Sequence, residues 1–480
     1  MGIGRGLFAA VAALAVAFLG VAGCDGNDGD DARQSAPSAD RPAPSSISFG
    51  DLGDCGTLPR AGKWRCGAIE VPWERADPSL GTTEIGLAVR AREQHSKPSA
   101  GAIFAVEGGP GYASTGTAGS YKRLFGTLLR RRELVLVDMR GTGRSGPLIC
   151  EDLQSGRAPD WIALSECALR LGPRFESYRT SAAADDIDDV RRALGLRRIT
   201  LYGDSYGTFL AQSYAFRHGE HLNALVLDSA YPAKGEDPWY PSLVRTGIRD
   251  FAIACERSPD CSGDPEALLE RLVERLRGTR GVGGLLDALI GAAYTPPHSY
   301  LRIHLAGAAL LRGDVGPWRR LTDPGQAIYR RPRRYSRGEE LVVGCNDYPM
   351  IWDKDASEPE RREQLERAIR SYDQDAFLPF TPREVALSPE MGYLECLTWP
   401  RPTELYESPI PDGAEPPDVP VLVVSGELDD LTTPWEGRVV AEQFPQGRQF
   451  VAPNVGHVHA LYYAGGAAAV EIREFLRETL

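Results

Sequence analysis

Metal-binding patterns are missing from this chain of 480 residues. It has neither a C-x-x-C pair nor an H-E-x-x-H segment, so no strong metal site is offered and no cofactor is expected. Positive charge is also short. Against 66 Asp and Glu there are 54 Lys and Arg, for a formal net charge of −12. That balance excludes nucleic acid as the main partner. Histidine is scarce at seven, and no internal repeat is visible. The apolar run from Leu7 to Val21 falls short of the roughly 20 residues a membrane span needs.

That run instead fits the h-region of an export signal, with Arg5 as its positive flank. It ends V-A-G-C, which resembles a bacterial lipobox and implies lipidation of Cys24. Residues 1–23 then read as a lipoprotein signal peptide, anchoring the chain outside the cytoplasm at the cell membrane. An ordinary secretory signal beside a cysteine is the alternative. Residues 24–48, rich in Asp, Gly, Pro, Ser and Ala, read as a disordered tether. Of nine cysteines, eight remain once Cys24 carries lipid, an even number for an oxidising compartment. Proximity alone suggests Cys55–Cys66, Cys150–Cys167, Cys255–Cys261 and Cys345–Cys396.

The chain can hold one large α/β domain with an insertion, or two to three smaller domains. Order should begin near Phe49. Ile85 to Ala91 alternates like an edge strand, whereas Ala102–Val106, Leu134–Val137, Ile199–Tyr202 and Leu222–Leu227 are short buried strands. Strand and helix alternate, which predicts a mostly parallel sheet with helices on both faces. Across 231–417 strand signals are scarce and helical segments dominate, so this reads as a helical cap. The sheet pattern resumes with Val419–Ser425 and Arg448–Val451, and a helix from Ala467 closes the chain. The core is thus assigned to 49–230 and 418–480. The acidic run Asp185 to Asp189 reads as a solvated helix face.

The chemistry centres on L-Y-G-D-S-Y-G-T, Leu201 to Thr208, a G-x-S-x-G between a strand and a helix. A serine on such a turn is lifted clear of the sheet, and the glycines allow close backbone approach. Ser205 is the candidate nucleophile, and the Tyr206 N–H, at a helix start, can stabilise an oxyanion. A serine needs an imidazole to take its proton and a carboxylate to orient that imidazole. After the late strands come G-E-L-D-D-L-T-T-P (426–434) and N-V-G-H-V-H (454–459). His457 follows Gly456 and is the candidate base, with His459 as a neighbour. Asp429 is favoured as the acid, and Asp430 stays open. The loop Glu107-Gly-Gly-Pro-Gly111 offers a second oxyanion donor, Gly108 or Gly109. The G-x-G-x-x-G at Gly141, Gly143 and Gly146 runs into Pro147 rather than a helix, so it reads as a structural turn and not a dinucleotide site.

The order Ser, Asp, His resembles that of α/β-hydrolases. The motifs G-G-P-G-Y (108–112), D-x-R-G-T-G-R-S (138–145), G-D-S-Y-G-T (203–208), G-E-L-D-x-x-T (426–432) and G-H (456–457) resemble secreted tripeptidyl aminopeptidases, grouped with proline iminopeptidases. The latter carry His-Gly-Gly-Pro-Gly, where this chain has Glu107. The resemblance implies an α/β-hydrolase fold with an inserted lid and a serine exopeptidase acting on peptides. The same machinery would serve a carboxylesterase or lipase on small esters, and a non-catalytic peptide-binding lipoprotein is a third reading. An aminopeptidase must also recognise a free α-ammonium, best done by a carboxylate. Asp347, in a G-C-N-D that resembles a cysteine-x-acid motif of the group, is the first candidate and Glu107 the second.

Overall fold

The computed structural model describes residues 47, 51–56, 58, 64–156, 160–279, 281–322, 331–388, 391 and 394–479. The signal segment, Cys24 and most of the tether lie outside the described residues. Among the described residues nine strands form one sheet: β1 (Gly53–Asp54), β2 (Trp64–Pro72), β3 (Thr82–Arg90), β4 (Ala102–Val106), β5 (Glu133–Val137), β6 (Ile199–Asp204), β7 (Leu222–Asp228), β8 (Pro420–Gly426) and β9 (Gln446–Ala452). Their spatial order is β1-β2-β3-β5-β4-β6-β7-β8-β9. The pairings from β1 to β5 are antiparallel, and those from β5 through β4 to β9 are parallel.

Strand alternation assigns each side chain to one face of the sheet. On β4, Phe104 and Val106 join one hydrophobic cluster, while Ile103 and Ala105 join the cluster on the opposite face. Val135 and Val137 of β5 likewise oppose Leu134 and Leu136. Both faces being covered, these strands read as continuous apolar runs. One expectation is corrected here. β3 is not an edge strand, because it pairs with β2 along its length and with β5 over its second half, which is buried throughout.

Between β7 and β8 the chain is helical among the described residues. Pro241–Glu256, Pro265–Leu276, Gly281–Ile290, His298–Leu311, Arg337–Asp347 and Glu358–Ser371 are its main helices. Their apolar faces build a third cluster, in which Phe251, Leu272, Leu285 and Tyr300 share contacts that extend to Leu428 on the loop after β8. Val343 and Tyr348 from the same segment enter the core over the sheet. This segment and the sheet therefore form one compact unit. Disulfides join Cys55 to Cys66, Cys150 to Cys167, Cys255 to Cys261, and Cys345 to Cys396. No described helix is long and apolar enough to cross a membrane.

The acidic run corrects a second expectation. Helix Thr180–Ala193 carries Asp185, Asp186, Asp188 and Asp189, and all four are buried. Asp186 takes a two-pronged pair of bonds from Arg140, both 2.8 Å. Arg75 reaches Asp189 at 2.7 Å, and His218 lies 2.7 Å from Asp185. Burial alone would raise the Asp185 carboxyl, but the His218 bond and the Arg217 charge override it and hold it well below the usual range. Cations from the loop after β2, the loop after β5 and the helix Tyr206–His218 converge on this helix, so its charges are internal ties rather than a wet face.

Candidate active site

The chain turns sharply at the end of β6. Ser205 has φ 52° and ψ −124°, a left-handed conformation that a non-glycine residue holds only under constraint. The flanking glycines are sterically required. A Cβ on Gly203 would lie 2.1 Å from the Gly207 carbonyl oxygen, and one on Gly207 would lie 2.5 Å from that of Val106. Helix Tyr206–His218 starts immediately after the serine.

Two further loops meet this turn at the carboxyl ends of the parallel strands. Nε2 of His457 lies 2.9 Å from Ser205 Oγ. Nδ1 lies 3.1 Å and 3.2 Å from the two carboxylate oxygens of Asp429. Asp429 is fully buried and accepts from the Thr432 N–H at 3.0 Å and the Thr432 hydroxyl at 2.9 Å, which fixes its plane. Asp430 makes no hydrogen bond to His457. It is buried against Gly247, and burial, with the charges of Asp250 and Asp429, pushes its carboxyl well above the usual range. His459 packs on Tyr463 at 5.4 Å instead of joining the triplet.

The glycine loop after β4 presses on the serine. A Cβ on Gly108 would lie 2.6 Å from Ser205 Cβ. The Gly108 N–H is turned to the Asp204 carboxylate at 3.3 Å, which leaves Gly109 as the better placed of the two candidate donors. Asp204 also accepts from Tyr121 Oη at 2.8 Å. Glu107 is buried beside this pair, and burial pushes its carboxyl up to about 7. The G-x-G-x-x-G loop is a turn wrapped on Asp138, whose carboxylate accepts from the N–H groups of Thr115 and Arg144, both at 2.8 Å.

A cavity of about 200 Å³ opens over Ser205 and His457. Four carboxylic residues line it, Glu107, Asp204, Glu340 and Glu436, and no Lys or Arg does among the described residues. Burial, then the neighbouring Glu236, pushes Glu436 up to about 8. Asp347 does not reach this cavity, which corrects the first choice for ammonium recognition. Its carboxylate is held by the N–H and hydroxyl of Thr180, both at 2.6 Å, and borders a different cavity. Glu107 does line the cavity. Sequence reasoning missed Glu340, Glu436 and Thr432, as well as Ala293 and Tyr294, which hold the histidine from the helical segment. The carbonyl of Ala293 accepts from the His457 N–H at 2.8 Å, and Tyr294 meets the imidazole edge-on at 5.4 Å.

Two family descriptions match the chain: the α/β hydrolase fold over residues 101–261, and a TAP-like protein over residues 386–479. The chain is a hydrolase of the α/β-hydrolase fold. The first match covers the strand, turn and helix around Ser205, and the second the segment holding Asp429 and His457. Among relatives of this α/β-hydrolase is a tripeptidyl aminopeptidase of Streptomyces coelicolor, 28% identical, covering 88% of this chain and 82% of that one. The serine protease Hip1 of Mycobacterium tuberculosis is 26% identical over 78% of each chain. Carboxylesterase B of the same organism is 29% identical, over 78% of this chain and 77% of that one. A crystal structure of a proline iminopeptidase of Mycobacterium smegmatis aligns over 86% of this chain and 98% of that one, at 16% identity and a TM-score of 0.39.

Proposed function

We propose that this hydrolase is a serine exopeptidase that releases short fragments from the free amino end of peptides. Ser205 Oγ attacks the scissile carbonyl while His457 Nε2 takes its proton. Asp429 holds the other imidazole nitrogen and stabilises the imidazolium that forms. The N–H groups of Tyr206 and Gly109 receive the oxyanion. His457 then protonates the departing amine, and water releases the fragment from the acyl-enzyme by the same steps in reverse order of partners.

The observation that carries the substrate assignment is the lining of the cavity. Four carboxylic residues and no cationic side chain suit a substrate whose end is positive, since charge-assisted hydrogen bonds are about twice as strong as neutral ones. A mass-spectrometric time course on an unblocked peptide tests this. Fragments should leave from the amino end only, and cleavage at internal bonds would refute it.

The helical segment 231–417 is proposed as the lid that closes this cavity. Residues 1–23 are proposed as a lipoprotein signal, 24–48 as a tether, and Cys24 as the lipidated anchor that holds the enzyme outside the cytoplasm. Cys24→Ala should free the protein from the membrane fraction, because lipid would be its strong attachment. Unchanged membrane association would overturn the anchor.

A further inference from the structure

The active-site cavity ends at a wall. On one side is the cavity of about 200 Å³ that holds Ser205, and Tyr231 and Tyr348 both line it. Tyr348 also lines a second cavity of about 270 Å³, bordered by Phe209, Glu236, Asp347, Lys354 and Tyr406. The two tyrosines come from different parts of the fold. Tyr231 follows β7, and Tyr348 follows the helix Arg337–Asp347 of the helical segment. Their hydroxyls meet at 2.8 Å. Both rings lean on Phe209, with centroids at 5.5 Å for Tyr231 and 5.7 Å for Tyr348. Tyr348 therefore borders both spaces, and its hydroxyl ties it to Tyr231 at the near one.

We propose that Tyr231 and Tyr348 set the length of the fragment released, by blocking the acyl-side end of the site short of the second cavity. The proposal rests on the exopeptidase reading and adds the residues that measure the substrate. The far cavity also holds carboxylates, Glu236, Asp347 and Asp412, beside two lysines, Lys234 and Lys354. Glu436 lines the near cavity and Glu236 the far one. Glu236 Oε2 has no hydrogen-bond partner, so it is available to a positive chain end. The cationic group of Lys354, on the far side, is committed to the Asn346 carbonyl at 2.6 Å. A peptide longer by one residue needs about 3.4 Å more depth. With the wall in place that depth is denied. Without it, the second cavity supplies both the room and a carboxylate for the ammonium.

The test compares wild type with Tyr348→Ala, Tyr231→Ala and Tyr348→Phe on one unblocked peptide, reading fragment lengths by mass spectrometry. A fluorophosphonate probe checks that each variant keeps a folded, reactive Ser205. Either alanine variant should raise the ratio of longer to shorter fragments by about 10-fold or more, the discrimination expected of a changed pocket depth. Tyr348→Phe keeps the ring and should keep the wild-type lengths. Unchanged lengths in both alanine variants that still label would overturn the wall. Should neither alanine variant label, Tyr348→Leu, a milder truncation, is put to the same reading. If wild type leaves free-amine peptides intact but cleaves esters, the exopeptidase reading fails. The wall is then judged on p-nitrophenyl esters of increasing acyl length, where the alanine variants should move the optimum to longer chains and an unmoved optimum overturns it.

Discussion

The backbone N–H of His457 donates to the carbonyl oxygen of Ala293 at 2.8 Å, so the candidate base of the sheet domain is tethered to the helical segment above it. Gly456 makes this approach possible, since a Cβ there would sit 2.0 Å from the same oxygen. On the other side, the Val458 N–H donates to Ser229 Oγ at 2.8 Å. The imidazole is thus set by contacts before and after it in the chain, one from the helical segment and one from the end of β7.

Displacing that loop should cost rate more than stability. Gly456→Ala is expected to lower kcat by about 10²-fold, the usual effect of a displacement near 1 Å at a reacting group. Gly465→Ala, where a Cβ meets nothing within 4 Å, is the control and should be neutral. Steady-state kinetics with a thermal melt check both. A Gly456→Ala enzyme with wild-type kcat would mean that the Ala293 contact does not position the base.

Asp429 and Asp430 should separate cleanly. Asp429→Asn is expected to lower kcat by about 10⁴-fold, because the imidazole then settles in the wrong tautomer. Asp430 makes no hydrogen bond to His457, and its burial pushes the carboxyl well above the usual range, so the near-isosteric Asn should cost far less there. Parallel kinetics on the two variants decide it, and the opposite ranking would reassign the acid.

Much of this site is legible in the sequence because it is local. Gly203 is dictated by a contact within the strand–turn–helix itself, while Gly207 answers to Val106 on the neighbouring β4, and the order of serine, acid and histidine follows from strand order. What was illegible depends on partners distant in the chain. Asp185 to Asp189 look like a wet face until Arg75, Arg140, Arg217 and His218 are brought onto them. Asp347 looks free beside a disulfide until Thr180 takes its carboxylate. Glu436 carries another ambiguity, since it caps its own helix through Thr433 while facing the cavity. β3 reads as an edge because alternation in one strand does not reveal a neighbour from across the sheet.

Glu436 makes a prediction about pH. Its carboxyl sits at about 8 in the folded enzyme against an ordinary value of 4.5. Between those values the folded state keeps a proton that the unfolded chain has lost, so this residue lowers stability as pH rises from about 4.5 to about 8. Glu436→Gln should therefore gain thermal stability on the wild type at pH 8 relative to pH 5. In the wild type, kcat/KM for a free-amine peptide should also climb between pH 6 and pH 8 as the carboxylate ionises. An amino-blocked substrate should lack that component. Melting curves and pH profiles that run in parallel for both enzymes would contradict the assignment.

The most direct measurement is a ratio of two rates. The same short peptide is offered with a free amino end and with that end acetylated, and kcat/KM is determined for each at pH 7. Acetylation removes the positive charge that the acidic cavity is proposed to receive, while leaving the scissile bond and the groups around Ser205 unchanged. The free-amine peptide should be favoured by about 10²-fold or more, in line with leaving buried polar groups unpaired. Equal turnover of the two peptides would contradict the exopeptidase account.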